Sequence, residues 1–594
     1  DSSTSRGLGD VYKRQIINKS HFYVGLNAWI EKCNFIFITA YEQALVNDFA
    51  GACSYIWFIS QYHLRNRRFT YHCTIKINKF LPLINKNLAK PSLMLYTEKK
   101  AGGFAMNKLY FITGSQDLYG EETLAKAAED SREIAEFLDE KLGSDADVVF
   151  KPVVRDHAEA ERVCAEASDD CECIGVIMWM HTFSPAKMWI RALQRLSKPM
   201  LHLHTQYNEK LPYSMIDMDF MNLNQSAHGD REFGFICTRL GIKREVAAGY
   251  YRHASVIEKI RRFAQAAKAV AFGKTMRVAM LGNNMRDVAV TDGDRVESEI
   301  KYGWNVNYYG VGDIADIICD ITESEIDLKM SEYKSRYKIS TDNISAVREQ
   351  AKYQAALEKF IERENISAFT DTFQDLHGLN QLPGLAVQEL MAKGIGFGPE
   401  GDYKTGALCA VLSKMAEGRN GATGFMEDYT YDLTEGSELE LAAHMLEVSP
   451  VFAAEKPEIQ VHPLGIGGKS DPARLVFDGI EGEAIAVSMV DMGDRFRLVC
   501  AEITLVKQPE PMPKLPVARL MWKLKPDFPT GAAAWIYAGG AHHAVVSTAL
   551  TAEDIRLFAK MTDTELVVID SDTKLSEFEQ RLEMLDVTAR LKKN

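Results

Sequence analysis

Glu400, Glu427 and His444 fall in three short words, Pro399-Glu-Gly-Asp-Tyr-Lys-Thr405, Phe425-Met-Glu-Asp-Tyr-Thr430 and Ala443-His-Met-Leu-Glu447, and Gly539-Gly-Ala-His-His-Ala544 adds a histidine pair. Two carboxylates and two imidazoles can hold a divalent ion. Oxygen ligands suit Mg²⁺ or Mn²⁺, imidazole shifts the balance towards transition ions, and four protein ligands on an octahedral ion leave two positions for substrate hydroxyls. Such a centre suits chemistry on a polyol. The spacing is not that of a compact metal motif, so each group also has an ordinary reading. Glu400, beside Asp402 in a Gly-rich run, also reads as a solvated turn acid, and His444 alone reads more readily as a hydrogen-bonded core histidine than as a ligand.

The elements that would position these groups read clearly from Met106 onward, where short apolar runs alternate with helical periodicity, the pattern of an α/β protein. Leu109 to Thr113 reads as a strand, Gly114 to Gly120 as a loop, and Glu121 to Leu142 as a helix that buries Leu124, Leu138 and Leu142 and stops at Gly143. Gly175 to Met180 repeats the strand. Ser184-Pro185 then predicts an N-cap followed by proline at the first helical position, with the helix running to about Leu196. A long helix is expected from about Arg244 to Phe272, and the strand Met276 to Leu281 opens a second domain. After about Gly421 the pattern turns to β-branched segments, Ala484 to Met489, Phe496 to Cys500 and Glu502 to Val506, and Pro509, Pro511, Pro513 and Pro516 predict a rigid connector. The expected organisation is an N-terminal α/β domain over 106–275, a central α/β domain over 276–421, both with parallel sheets, and a mainly antiparallel, barrel-like β-rich C-terminal domain over 422–594. Neither a Gly-x-Gly-x-x-Gly fingerprint nor a P-loop follows a strand, so nucleotide binding lacks a motif.

Charge is unevenly placed along the 594 residues. Against a net charge of -13, residues 1–105 carry 14 Lys and Arg and 6 Asp and Glu, which leaves -21 for the remainder. Residues 1–15 resemble a translated sequencing adapter, and Ala101-Gly-Gly-Phe-Ala105 can be encoded with an AGGAGG ribosome-binding sequence shortly before the Met106 codon. Residues 1–105 are therefore expected to be translated leader rather than a domain, with Met106 as the start. The acidic body argues against nucleic acid or an anionic membrane as partner. The apolar window from Phe35 to Ile59 is broken by Glu42 and Asp48, so no membrane span is expected. Ten cysteines without a Cys-x-x-Cys pair read as reduced thiols of a cytoplasmic protein.

The metal words, with Gly114-Ser-Gln-Asp-Leu-Tyr-Gly120, His181-Thr-Phe-Ser-Pro-Ala-Lys-Met-Trp189, Asp217-Met-Asp-Phe-Met-Asn-Leu-Asn-Gln225 and Leu464-Gly-Ile-Gly-Gly-Lys469, resemble the L-arabinose isomerases in order and separation over almost all of the chain after Met106. The resemblance implies a metal-dependent aldose–ketose isomerase that converts L-arabinose to L-ribulose through an enediol. It implies Glu400, Glu427, His444 and His543 as metal ligands, with Glu400 and Glu427 also acting in proton transfer and His542 orienting or packing beside them. Gln116, Leu118, Tyr119, Gln225 and His228 match positions that line the sugar site. Also implied are one Mn²⁺ per subunit, with Co²⁺ or Mg²⁺ as substitutes, and a homo-oligomer, a hexamer built from trimers, in which the N-terminal domain of one subunit covers the metal centre of its neighbour. Asp375 and His377 are within reach of the site without an assigned role. The competing readings are the same chemistry on L-fucose or D-galactose, a non-catalytic sugar-binding protein on the same fold, and a metallohydrolase. Paired metal carboxylates separate an enzyme from a pure binder.

Overall fold

The computed structural model describes residues 107–465 and 468–593; the expectations for residues 1–105 and for Met106 as the start lie outside them, as do Ile466 and Gly467 of the Leu464 to Lys469 word. Five parallel strands come first: β1 (Lys108–Gly114), β2 (Asp147–Phe150), β3 (Cys173–Met180), β4 (Met200–His204) and β5 (Glu245–Ala248), in the order β2-β1-β3-β4-β5. All eight residues of β3 are buried, as an inner strand covered on both faces requires. The chain leaves β1 for β2 on one side and returns to β3 on the other, so a crevice opens at the carboxyl ends of β1 and β3. Helix α1 (Gly120–Leu142) buries Leu138 and Leu142, leaves Leu124 half-buried, and ends at Gly143.

Two expectations change here. Pro185 is extended (φ -61°, ψ 112°), and the chain enters a 3-10 turn, Ala186–Trp189, before the short helix Ile190–Arg195. Ser184 accepts from the Trp189 indole N–H at 3.1 Å instead of capping, so the buried indole takes the hydroxyl that a helix start would need. The helix expected from Arg244 loses its first turns: Glu245–Ala248 pairs with β4 as an edge strand, Gly249 turns the chain at φ 134°, and helix α2 runs over Ala254–Gly273. Strand pairing, with the buried Glu245 carboxylate held by Lys259 and Lys560, overrides the local helical pattern.

The central sheet repeats the parallel design with β6 (Arg277–Leu281), β7 (Asn305–Tyr309), β9 (Ala368–Asp371) and β10 (Gly396–Gly398) in the order β10-β9-β6-β7, while β8 (Lys338–Ile339) leaves it for a small sheet with β13 (Glu458–Val461) and β14 (Ala473–Val476). Helix α3 (Tyr403–Met415) lies directly on β10. A Cβ at Gly398 would stand 2.3 Å from the Asp402 carbonyl oxygen, so glycine is what permits this approach.

The C-terminal strands are β11 (Thr423–Asp432), β12 (Leu439–Ala443), β15 (Gly482–Asp491), β16 (Phe496–Leu505), β17 (Arg519–Leu524), β18 (His543–Ser547) and β19 (Glu565–Ile569). They run β15-β18-β11-β12-β17-β16, and β16 pairs back onto β15, closing an antiparallel barrel of six to which β19 adds in parallel. Closure removes free edges. The segments read as Phe496 to Cys500 and Glu502 to Val506 form the one strand β16, and the proline-rich stretch joins it to its barrel neighbour β17 without regular structure. Helix α3 packs between barrel and central sheet.

Asp554, in helix α4 (Ala552–Met561), ties all three segments together: Arg419 donates to its two oxygens at 2.9 and 3.0 Å, and Arg262 of α2 lies 3.4 Å away. Among the described residues no helix is long and apolar enough to cross a membrane, and the seven described cysteines are unpaired.

Candidate active site

Strand register assembles the site. Glu427 of β11 lies opposite His543 of β18 on one side and opposite Ala443 of β12, the residue before His444, on the other. Phe425, two residues earlier and so on the same face, sets its ring edge-on to His444 and to His543, with centroids 5.4 Å away in each case. The fourth group comes from the central sheet, where Glu400 follows β10. Its backbone is left-handed (φ 61°), as is that of Gly401 (φ 83°), and a Cβ on Gly401 would stand 2.4 Å from Asn284 Cα. The Met285 N–H donates to the Glu400 carbonyl at 2.9 Å and the Gly401 N–H to that of Asp371 at 3.0 Å, which holds this turn against the ends of β6 and β9.

Each imidazole is anchored from behind. His543 Nδ1 is 3.1 Å from Asp402 Oδ2, and His444 Nδ1 is 2.5 Å from Glu447 Oε2. Their other nitrogens face the two carboxylates, His543 Nε2 at 3.9 Å from Glu400 and His444 Nε2 at 3.8 Å from Glu427. His543 is fully buried and its Nε2 has no hydrogen-bond partner among the described residues. A buried imidazole nitrogen without a partner, on a ring whose far side is fixed by a carboxylate, is the arrangement of a metal-binding histidine. The donor set therefore fits a divalent ion. The tightest group, with ligand atoms within 4.8 Å of one another, is Glu400, His543 and also His542, whose Nε2 is 3.9 Å from the same Glu400 oxygen.

The charges are set unequally. Burial pushes the Glu427 carboxyl up to about 6, with Glu400 and Asp428 adding to the rise and His444 and His542 opposing it. Glu400 is held below its ordinary range by the His542 imidazole, against the effect of burial. Burial disfavours a charge on His444, but Glu447, Glu427 and Glu400 override it and raise the imidazole to about 9. Asp402, the N-cap of α3, is buried, yet Lys404 at 3.0 Å and His543 keep it well below the usual carboxylate range. Asp371, at the end of β9, was not singled out by sequence. Burial and the Glu447 charge lift it to about 8. Its position at the carboxyl end of a parallel strand is the signal that marks it.

Glu400, Glu427, His444 and Asp371 share a cavity of about 240 Å³ whose walls come from the central and C-terminal segments alone. Gln116, Leu118, Tyr119, Gln225 and His228 do not line it, and neither do Asp375 and His377. The first five gather instead at the crevice of the N-terminal sheet. Gln116 Nε2 donates to the Phe183 carbonyl at 2.9 Å, the Gln225 N–H donates to that of His181 at 2.9 Å, and Gln225 Nε2 donates to the Asn222 side chain at 3.3 Å. Tyr119 is half-buried, His228 is exposed, and Leu118 is 81% exposed. Asp375 is engaged locally, accepting from the Asn283 N–H at 3.0 Å and from Arg286 at 3.2 Å.

Models of the L-arabinose isomerase N-terminal, central and C-terminal domains match residues 104–275, 277–418 and 422–565, in that order. The chain belongs to the L-arabinose isomerase family. It is 50% identical over 486 residues to the L-arabinose isomerase of Geobacillus stearothermophilus, covering 81% of this chain and 98% of the relative. It is 51% identical over 476 residues to that of Clostridium beijerinckii, covering 80% and 97%, and 50% identical over 477 residues to that of Thermotoga neapolitana, covering 80% and 96%. The family read from the sequence words is the one these matches show.

Proposed function

We propose that the chain interconverts L-arabinose and L-ribulose by moving a proton between C1 and C2 of the open-chain sugar through an enediol, in the cavity walled by Glu400, Glu427 and His444. The observation that supports this most is geometric: the register of β11 with β18 and β12 and the turn after β10 set two carboxylates, Glu427 and Glu400, facing the Nε2 atoms of His444 and His543 at 3.8 and 3.9 Å. Two carboxylates on one cavity can take a proton from one carbon of the sugar and return it to the next. Proton transfer thus falls to Glu427 and Glu400, and Asp402 and Glu447 keep His543 and His444 pointed at them.

Glu400, Glu427, His444 and His543 hold a divalent ion in this reading, Mn²⁺ in the first place and Co²⁺ or Mg²⁺ as substitutes. When bound, the ion would supply Lewis acidity to stabilise the enediol. Gln116, Leu118, Tyr119, Gln225 and His228 contact the sugar from a neighbouring subunit, in a homo-oligomer of hexameric size. In favour of this, no N-terminal residue lines the cavity, and Leu118, Tyr213, Met215, Met218 and Met221 expose apolar surface at half or more of their area. The functional divisions are then 106–275, 276–421 and 422–594. The unpaired cysteines fit a reducing cytoplasm.

The test is ketose formation from L-arabinose, L-fucose and D-galactose by purified protein, stripped with EDTA and resupplied with Mn²⁺. L-Arabinose is expected to be turned over fastest, and only with metal. Full turnover by stripped protein, or no ketose from L-arabinose, refutes the reading.

A further inference from the structure

A second cavity, of about 330 Å³, opens at the opposite edge of the N-terminal sheet, in front of the amino ends of β4 and β5. Its walls come from Leu196 to Met200, Lys243 to Glu245, the end of α2, Lys301 to Trp304, and the α4 to β19 turn, so all three segments contribute. It is distinct from the isomerase site, which draws on the carboxyl ends of the strands.

Six cationic side chains line this cavity against two acids, Glu245 and Asp563, in a body that is otherwise strongly acidic. The acids are already engaged: Glu245 with Lys560 at 2.6 Å and Lys259 at 2.9 Å, and Asp563 with Lys243. Three lysines remain. Among the described residues Lys198, Lys274 and Lys301 have no carboxylate at ion-pair distance; the Lys198 ammonium donates only to the Asp170 carbonyl, at 3.0 Å, and that of Lys301 to the Asp563 carbonyl, at 2.8 Å. Lys274 makes neither kind of contact. Burial lowers both Lys274 and Lys301; the charge of Lys198 lowers Lys274 further, whereas Asp563 and Glu297 offset part of the effect at Lys301. The Lys198 and Lys274 ammonium groups, neither with a carboxylate at ion-pair distance among the described residues, repel one another, and a multiply charged anion beside them would relieve that repulsion. Arg244, in the same wall, buries its Nε–H without a partner.

The remaining surface is apolar. Trp304 stacks on Tyr302 with centroids 4.5 Å apart, and Phe558 and Met561 face the cavity from α4. A site with several ammonium groups on one side and an aromatic wall on the other suits a phosphate group carried by a small organic ligand.

We infer that this cleft, through Lys198 and Lys274, binds the phosphate group of a small phosphorylated ligand. The test uses the full-length protein and three probes, inorganic phosphate, pyrophosphate and glucose 6-phosphate, followed by titration calorimetry and by thermal unfolding, with sodium chloride at matched ionic strength as control. At least one probe is expected to bind saturably and to raise the unfolding temperature beyond the chloride control. Lys198→Gln and Lys274→Gln should each weaken that binding about tenfold or more, whereas Lys560→Gln, whose charge is already paired, should change it less than threefold. Circular dichroism of each variant establishes that it is folded. Three results overturn the assignment: no saturable binding of any probe, a chloride effect equal to the phosphate effect, or binding that survives unchanged in both folded Lys198→Gln and Lys274→Gln.

Discussion

Asp402 stands 3.1 Å behind His543, Oδ2 against Nδ1, in a position where both are fully buried. One residue thereby caps α3, pairs with Lys404 and fixes the imidazole. Asp402→Asn keeps the size and the capping oxygen but removes the charge that holds the ring. Activity at saturating Mn²⁺ should survive in part, while the Mn²⁺ concentration for half-maximal activity rises ~10- to 100-fold, the usual cost of losing such an outer partner. Titrating stripped enzyme with Mn²⁺ measures it, and an unchanged midpoint counts against Asp402 as the group that positions His543.

Glu400→Gln and Glu427→Gln should each lower kcat by at least ~100-fold, the scale of a lost acid–base group, with no rescue at high Mn²⁺. Gln225→Ala should act mainly on KM, because its amide contacts hydroxyls alike in ground and transition states. Steady-state kinetics on the three variants separates these roles. A Glu427→Gln enzyme restored by added metal would reduce Glu427 to a ligand.

Two inactive proteins should complement each other if the site lies between subunits. Glu427→Gln mixed with His228→Ala, under conditions where subunits exchange, should recover a fraction of activity, since some interfaces then combine two intact halves. Verified mixed oligomers that stay inactive would remove His228 from a shared site.

Asp554 gives a stability test remote from the chemistry. Burial opposes its charge, but Arg419, the Thr551 N–H and Arg262 bring its carboxyl below the ordinary value. A carboxyl depressed in the folded state contributes fully above its unfolded value, near 3.9, and the contribution disappears as pH falls through the folded value. Asp554→Asn, which removes the charge facing the half-buried Arg419, should therefore cost ~2 kcal/mol at pH 7, with the difference from the parent shrinking below about pH 4. Denaturant unfolding at both pH values decides. A difference independent of pH would mean that packing, not charge, is what Asp554 supplies.

The periodicities of β1, β3, β6 and the segments of β15 and β16 were legible because each is an apolar run bounded by turns. Glu245 to Ala248 was not legible, because its strand character comes from β4 and from lysines distant in sequence. The site divides in the same way. Residue types announced Glu400, Glu427 and His444, but nothing local chooses between His542 and His543. The register of β18 on β11 puts His543 opposite Glu427, with the buried Asp402 behind it. His542 still comes within reach of Glu400, an outcome of tertiary folding that spacing does not carry.

In the role proposed for Glu400, its left-handed backbone sets heat resistance against turnover at a single residue. A side chain in that conformation costs ~1–2 kcal/mol relative to glycine, so a selection that scores only survival at high temperature would drift towards Glu400→Gly and collect sturdier proteins that no longer isomerise sugar. Engineering for industrial temperatures would have to hold residue 400 constant and find its stability elsewhere.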